Sequence, residues 1–485
     1  MIFNSVTFLI FIFFVTTTYW ILSVKNRLYL LFLCSIIFYA FWKPVFALLM
    51  LFSAFIDFSM SLLIFQTTKK KYKKLFLTIS LFSNLGLLFV FKYLYFFSNN
   101  FQSLLELLSI NYTIPLFNLI LPLGISFYTF QTISYTVDVY RGFIKPEKNF
   151  ILYGCYVTFF PQLVAGPILR ANEVIHQFIE EKKFNIKYIY IGFERILYGL
   201  FLKTCFADNL APIVDKGFLI PVSSISAIDV WTLSFLFGFQ IYFDFSAYSH
   251  IAIGSASLMG INFPENFNYP YISTSFKDFW KRWHISLSSW IRDYLYLPLN
   301  GLEVQDKSVG GLKINLSLNS KRKTISLFST WAIMGLWHGA NWTFVFWGLY
   351  HSTLIYLERK IYKIFNLSLY KNTKIVGLVI TLPLAMLGWI PFRADNIEES
   401  LLMLAKVAKI SEYSYLGMRE NVYLIAASSL IFFFCGYIYM QKIKPLLIRI
   451  KPILFEYIQI VETTILIVLV FIFLRPINQF IYFQF

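Results

Sequence analysis

Charge is what this sequence has least of. Asp, Glu, Lys and Arg make up 14% of its 485 residues, where soluble domains carry about 25%. That shortfall excludes a string of soluble domains, although the length would hold two or three. Cysteine is scarce as well. Cys34, Cys155, Cys205 and Cys435 sit singly in apolar segments, with neither disulfide nor zinc spacing, so they read as packing residues and no metal site is expected. No internal repeat stands out, no linker is long enough to divide domains, and no soluble domain stands on either face. The opening stretch MIFNSVTFLIFIFFV lacks a basic n-region and a small-residue cleavage site. It reads as a retained first span and not as a signal peptide.

What is present is apolar. Hydrophobic residues account for 58% of the chain, in runs such as TFLIFIFFVTTTYWILSV (7–24) and ETTILIVLVFIFL (462–474). These define a polytopic membrane protein. The excess of 42 Lys+Arg over 25 Asp+Glu leaves a net charge of +17. In a soluble protein that would suggest nucleic acid, but no compact basic domain exists to hold it. It reads as the positive bias of cytoplasmic loops.

Basic clusters set the expected topology. Lys25 and Arg27 follow the first span and KKKYKK (69–74) follows the third, so both lie inside, spans fit 28–42 and 45–66, and the N-terminus lies outside. The loop SNNFQSLLELLSINYTIP (98–115) holds no Lys or Arg, as an external loop should. Span five covers 117–140. FILYGCYVTFFPQLVAGPILR (150–170) is broken by Pro161, Gly166 and Pro167 and has basic residues on both flanks, so it should enter and leave by the cytoplasmic side. Broken backbone at that depth implies surrounding protein or a cavity. Further spans fit 188–206, 228–252, 324–341, 342–358, 375–392, 421–440 and 458–474, about ten to twelve in all. The chain is expected to form one membrane domain over 1–485, with N-terminal spans to 120, a catalytic core over 121–395 and C-terminal spans over 396–485.

Two stretches carry chemistry. The first is SFKDFWKRWHISLSSWIRDYLYLPL (275–299). On one helix over 276–296, at about 100° per residue, Phe279, Trp280, Trp283, Leu287, Trp290, Ile291 and Tyr294 share an arc. Lys277, Lys281, Ser288 and Arg292 form a narrower stripe, with His284 on the border. The segment is too polar to span and suits the interface. Its composition fits a surface anchor on anionic lipid. It fits equally a basic stripe that meets an anionic ligand, such as the phosphates of coenzyme A, while His284 points into a cavity.

The second is GLWHGANW (335–342). His338 lies about 15 residues up its span, roughly 22 Å into a core about 30 Å thick. An ionisable group at that depth is a functional candidate, suited to take a proton from an attacking hydroxyl. The alternative is a neutral histidine hydrogen-bonded in a polar pocket. Gly335 and Gly339 leave room for a substrate or for another helix, and Trp337 and Asn341 are nearby donors. No Gly-x-Ser-x-Gly elbow or Asp–His–Ser pattern is seen, so direct transfer is the simpler chemistry. Asp57, Asp138, Glu194, Lys203, Asp244 and His250 also fall in or near spans. Helix packing and ion pairs account for most of these, and a proton wire through Asp244 and His250 is a further reading.

FDFSAYSHIAIG, PENFNYPYISTSFKDFWKRWHISLSSWIRDYLYLPL, MGLWHGANWTFVFWGLYH and WIPFRAD together resemble the membrane-bound O-acyltransferase (MBOAT) family. The resemblance runs from about Pro161 to Arg393 and is closest to the bacterial alginate and peptidoglycan O-acetylation branch, related to the D-alanyl transferase of teichoic acid export. His250 and Ala247 depart from it, standing where close relatives carry Asp and Gly, and NGLEVQDKSVGGLKINLSLNSKRK (300–323) replaces a shorter Gly-Gly and basic run.

The resemblance implies an all-α ring of spans, with re-entrant and interfacial helices, around a tunnel. His338 would be catalytic, and His284 would support the reaction where other branches carry Asn or Asp. Lys277, Lys281, Ser288, Arg292, Trp337, Asn341 and Asp244 are expected to contribute to donor or substrate binding. The donor is expected to be acetyl-CoA, acting as substrate with no permanently bound cofactor. The partners would be membrane lipid and a periplasmic protein of the SGNH-hydrolase type that passes the acetyl group to a cell-surface glycan. The expected location is the bacterial inner membrane. D-alanyl or lipid acyl transfer is the alternative within the class, and a transporter or flippase the alternative outside it.

Overall fold

The computed structural model describes residues 1, 3–115, 119–163, 166–301, 320–365, 374–474 and 480. Every regular element among them is a helix, the fold class expected of a chain whose backbone polar groups must be satisfied within lipid. Among the described residues, five helices are long and apolar enough to cross a membrane on that ground alone: Pro44–Gln66, Lys70–Leu107, Lys374–Arg393, Glu420–Ile450 and Pro452–Phe473. Val6–Ile21 is apolar but shorter. This is a multi-pass membrane protein. The spans expected at 188–206, 228–252, 324–341 and 342–358 coincide with helices Ile186–Phe201, Ala227–Ser257, Ser320–His338 and Trp342–Phe365. Asp244 on Ala227–Ser257, and Lys203 in the π-turn that follows Ile186–Phe201, are buried and show why this group reads as less apolar: polar groups turn inward.

Two expectations need correction. Residues 98–107, read as external loop, continue the helix through a π-turn at Phe89–Tyr93 to Leu107. The spacing of Phe101, Leu104, Leu105 and Leu108 is helical, and lack of Lys or Arg says nothing about backbone. Span five begins at Ile125 and not at 117. Its start is Gly124, at φ +72°, where a Cβ would lie 2.3 Å from the Leu163 carbonyl oxygen, so only glycine fits the turn.

The described chain forms two compact units. The first takes Met1–Ile196, Ile251–Glu265 and Ser289–Leu316. Its broken segment consists of Phe150–Thr158 and Phe160–Leu163, followed by Ala171–Ile179, and protein covers it. Ser35 Oγ accepts from Phe160 N (3.2 Å), Gln162 Nε2 and Gln131 Nε2 both donate to Tyr156 O (2.6 Å each), and Tyr156 Oη donates to Leu169 O (3.1 Å). Side chains thus replace the lost helical hydrogen bonds. Deeper in this unit Asp57 is fully buried, and Asn84 Nδ2 donates to both of its carboxylate oxygens (2.9 and 2.8 Å).

The second unit takes Leu197–His250, Asn266–Ser288 and Ser317–Phe485 and contains both motif histidines. Helix Ala227–Ser257 opens on Ser226, whose Oγ accepts from Asp229 N (3.1 Å) while Asp229 Oδ2 accepts from Ser226 N (2.7 Å). This reciprocal cap satisfies two amides that would otherwise be orphaned. Helices Ser320–His338 and Trp342–Phe365 lie backbone to backbone. A Cβ on Gly335 would stand 2.1 Å from Phe344 O, and one on Gly348 would stand 2.1 Å from Trp331 O. The room left by Gly335 and Gly339 is therefore filled by a helix and not by substrate: the Phe344 ring occupies the space over Gly339.

Candidate active site

The stretch 276–296 is not one helix. It breaks after Phe276–Arg282 and resumes at Ile285–Ile291, with Trp283 extended and His284 at φ +41°. A non-glycine residue in the left-handed region is uncommon and strained, and such strain gathers at functional sites. Local signals start the first piece: Ser275 Oγ accepts from Asp278 N, and Asp278 pairs with Arg282 at 3.0 Å. The break itself is held from a distance. Asn266 O accepts from Ile285 N (2.9 Å), and Asn266 Oδ1 accepts from Ser286 Oγ (2.8 Å) and faces His284 Nδ1 at 3.1 Å. Asn266 Nδ2 in turn donates to Ser249 Oγ (3.1 Å).

An amide oxygen can only accept, so this contact assigns the His284 proton to Nδ1 and leaves the ring's lone pair at Nε2. His284 is 1% exposed, with the Phe245 ring 4.6 Å away and nearly perpendicular. It lies between two seven-residue helices, outside the membrane-spanning ones, and burial pushes its pKa down to about 3. The ring is neutral at pH 7.

His338 ends its helix, 4% exposed. Trp337, Trp347 and Phe392 surround it, with ring centroids at 4.9, 4.9 and 5.2 Å and all three steeply inclined. The two imidazoles belong to one aromatic cluster. From His338 it runs through Phe392, Trp389 (5.6 Å), Trp283 (4.7 Å) and Phe267 (5.1 Å) to His284 (6.3 Å). Water is largely excluded from such surroundings, so a proton or charge transferred there acts in low dielectric.

The other candidates are placed as follows. Lys277 and Lys281 are exposed, and the backbone amides of Phe276 and Lys277 donate to Glu358 (3.1 and 3.3 Å), which anchors that helix start. Ser288 Oγ donates to Trp283 O (3.1 Å). The break divides the expected stripe: Arg292 belongs to the first unit, where its Nε donates to Asp293 Oδ1 (2.6 Å) and Arg170 holds Asp293 Oδ2 at 2.6 Å. Burial pushes the Asp293 carboxyl up, but the Arg292 hydrogen bond and the charge of Arg170 outweigh it and leave the group below its ordinary value.

Trp337 is buried against His338. Asn341 caps helix Trp342–Phe365 by accepting from Thr343 N (3.1 Å), and its Nδ2 donates to Asp395 O (3.3 Å). Asp244 lies in an ion trio with Lys203 (2.7 Å), which also reaches Asp208 (2.9 Å). His250 packs on the Tyr198 ring at 4.9 Å. Residues 302–319, where the departure from the family pattern falls, lie outside the described residues. No group of three or more His, Cys, Asp or Glu able to hold a metal occurs among the described residues.

Sequence reasoning missed Asn266, which stood inside the quoted PENFNYPYIS as an amide between apolar stretches.

A buried aromatic cluster thus holds both motif imidazoles within an all-helical multi-pass protein. The profile described as MBOAT, membrane-bound O-acyltransferase family, matches residues 147–390, and the chain belongs to that family of acyltransferases. It is 34% identical to a peptidoglycan O-acetyltransferase of Helicobacter pylori over 80% of this chain and 75% of that one. Identity to a probable alginate O-acetylase AlgI of Azotobacter vinelandii is also 34%, over 87% and 80%. A teichoic acid D-alanyltransferase of Bacillus subtilis is 31% identical over 57% of this chain and 70% of its own length.

Proposed function

We propose that this enzyme passes an acetyl group from cytoplasmic acetyl-CoA through the bacterial inner membrane to a hydroxyl on the far side, with His338 as general base. The N-terminus then faces the periplasm, as the basic clusters at 25–27 and 69–74 require. The hydroxyl oxygen adds to the thioester carbonyl carbon while its proton passes to His338. The C–S bond then breaks, and the departing thiolate takes that proton as CoA leaves. His284, neutral and oriented by Asn266, accepts a hydrogen bond at Nε2 from the acyl acceptor or from water. Lys277 and Lys281, exposed on one short helix, meet the CoA phosphates.

The observation that carries this reading is the enclosure of His338 by three rings within the stretch that the family profile matches. Acetyl is preferred to D-alanyl because the two O-acetylating relatives named above match over 80% and 87% of the chain, against 57% for the D-alanyl one. CoA is charged and confined to one compartment, and a hydroxyl-bearing protein of SGNH type on the other side would carry the group onward to a cell-wall or exopolysaccharide glycan.

The test is transfer of labelled acetyl from acetyl-CoA in proteoliposomes holding the full chain and its extracytoplasmic partner. His338→Ala should abolish transfer in a protein that inserts and folds normally. Near-normal transfer by that variant removes His338 from the mechanism.

A further inference from the structure

His351 is the most deeply buried histidine of the described chain and has no part in the reaction as derived above. It is 0% exposed and packed among rings: Trp280 and Trp347 at 5.0 Å each, Tyr350 at 5.5 Å, Trp331 at 5.8 Å and Phe279 at 6.4 Å. Neither ring nitrogen has a hydrogen-bond partner, and the indole Nε1 atoms of its neighbours Trp280 and Trp347 are buried without one too. For packing alone, histidine is the wrong residue here. A phenylalanine would meet the same five rings without desolvating two polar atoms. Departures from local consistency of this kind mark functional positions.

The location points the same way. The Trp347 ring touches both His338 (4.9 Å) and His351 (5.0 Å), so a single indole stands between the two imidazoles. Gly388, at the start of helix Trp389–Arg393, brings its backbone close to the ring: a Cβ there would fall 2.8 Å from His351 Nε2. A neutral imidazole offers one N–H and one acceptor, and each indole offers only an N–H. Three donors against one acceptor, in an apolar box, match a single small oxygen that gains negative charge.

We infer that His351, with the Trp280 and Trp347 indoles, binds the carbonyl oxygen of the acyl group during transfer. The inference rests on the acyl-transfer reading given above. As the hydroxyl oxygen adds to the carbonyl carbon, charge collects on that oxygen, and the N–H groups hold it by hydrogen bonds alone. When the C–S bond breaks the carbonyl re-forms, and His351 has neither gained nor lost a proton. Loss of one such donor lowers turnover by roughly a hundredfold to a thousandfold.

The experiment compares full-length wild type, His351→Phe and His338→Ala in native membranes, counting labelled acetyl groups moved from acetyl-CoA to base-labile esters of the cell-wall glycan. His351→Phe should be produced in normal yield, melt at or above the wild-type temperature, and turn over at least about a hundredfold more slowly with KM for acetyl-CoA little changed. His351→Gln, which keeps an N–H, should recover part of that loss. Near-wild-type turnover by His351→Phe, while His338→Ala is inactive, overturns the inference and leaves the acyl-transfer reading intact. If His351→Phe does not fold, the decision passes to His351→Gln against His351→Met, and equal turnover by the two overturns it. A wild type that transfers no acetyl overturns the acyl-transfer reading and the inference together.

Discussion

Asn266 Oδ1 lies 3.1 Å from His284 Nδ1, so an amide eighteen residues upstream decides which nitrogen of this imidazole carries the proton. The same oxygen takes the Ser286 hydroxyl, and the Asn266 carbonyl takes the Ile285 amide. One residue, through its side chain and its backbone carbonyl, therefore fixes the tautomer, the ring orientation and the start of the next helix.

Asn266→Ala should slow acyl transfer by roughly tenfold to a hundredfold, the kinetic equivalent of an orienting hydrogen bond of about 1–3 kcal/mol. Asn266→Asp keeps the acceptor and should stay within about tenfold of wild type on the same scale. Equal loss in both variants, measured as turnover at saturating donor, would show that the amide serves only the helix break.

The glycine zipper is a backbone contact, so it tolerates no side chain. Gly348→Ala places a Cβ against the Trp331 carbonyl and should cost about 1–3 kcal/mol by overpacking. It should also disturb His338, which ends the helix on the other side of the contact. A drop in detergent melting temperature together with lost transfer is expected. An unchanged melting temperature would mean that the helices separate freely.

Acidification should weaken the fold through His284. Its pKa is depressed from 6.5 to about 3 by burial, so below pH 6.5 the unfolded chain binds a proton that the folded chain refuses. The neutral ring's full contribution is present above pH 6.5 and is lost as pH falls towards 3, by up to roughly 1.4 kcal/mol per pH unit. Melting temperatures between pH 7.5 and 5 should fall less steeply for His284→Asn than for wild type. Parallel slopes would contradict a buried neutral ring.

Lys203 is buried between Asp208 and Asp244. Lys203→Met strands two carboxylates and should destabilise by about 3–5 kcal/mol. Adding Asp244→Asn should recover part of that loss, read as thermal stability in detergent. If Asp244 served instead in a proton wire to His250, the double variant would regain stability and still lose transfer.

Much of this was legible from local pattern. Pro44–Gln66 was expected at 45–66 because the basic clusters at 25–27 and 69–74, both inside, need two apolar spans between them. The broken backbone at 150–170 followed from Pro161 and Gly166. The break at Trp283–His284 was not legible. The 100° periodicity runs straight through it, and the contacts that hold it come from Asn266. Gly335 and Gly339 read equally well as room for substrate or for a helix, and only the position of Phe344 decides between them. Asn341 was read as a donor near the base because sequence proximity cannot reveal that its side chain caps a helix.

Six of the eleven tryptophans, Trp280, Trp283, Trp331, Trp337, Trp347 and Trp389, lie in the cluster that links the histidines. Their emission therefore reports on the surroundings of His338 and His351, and energy absorbed by any one of them passes readily among the rest. The enzyme carries its own optical probe, in which a quencher brought in by a bound donor would darken most of the signal at once.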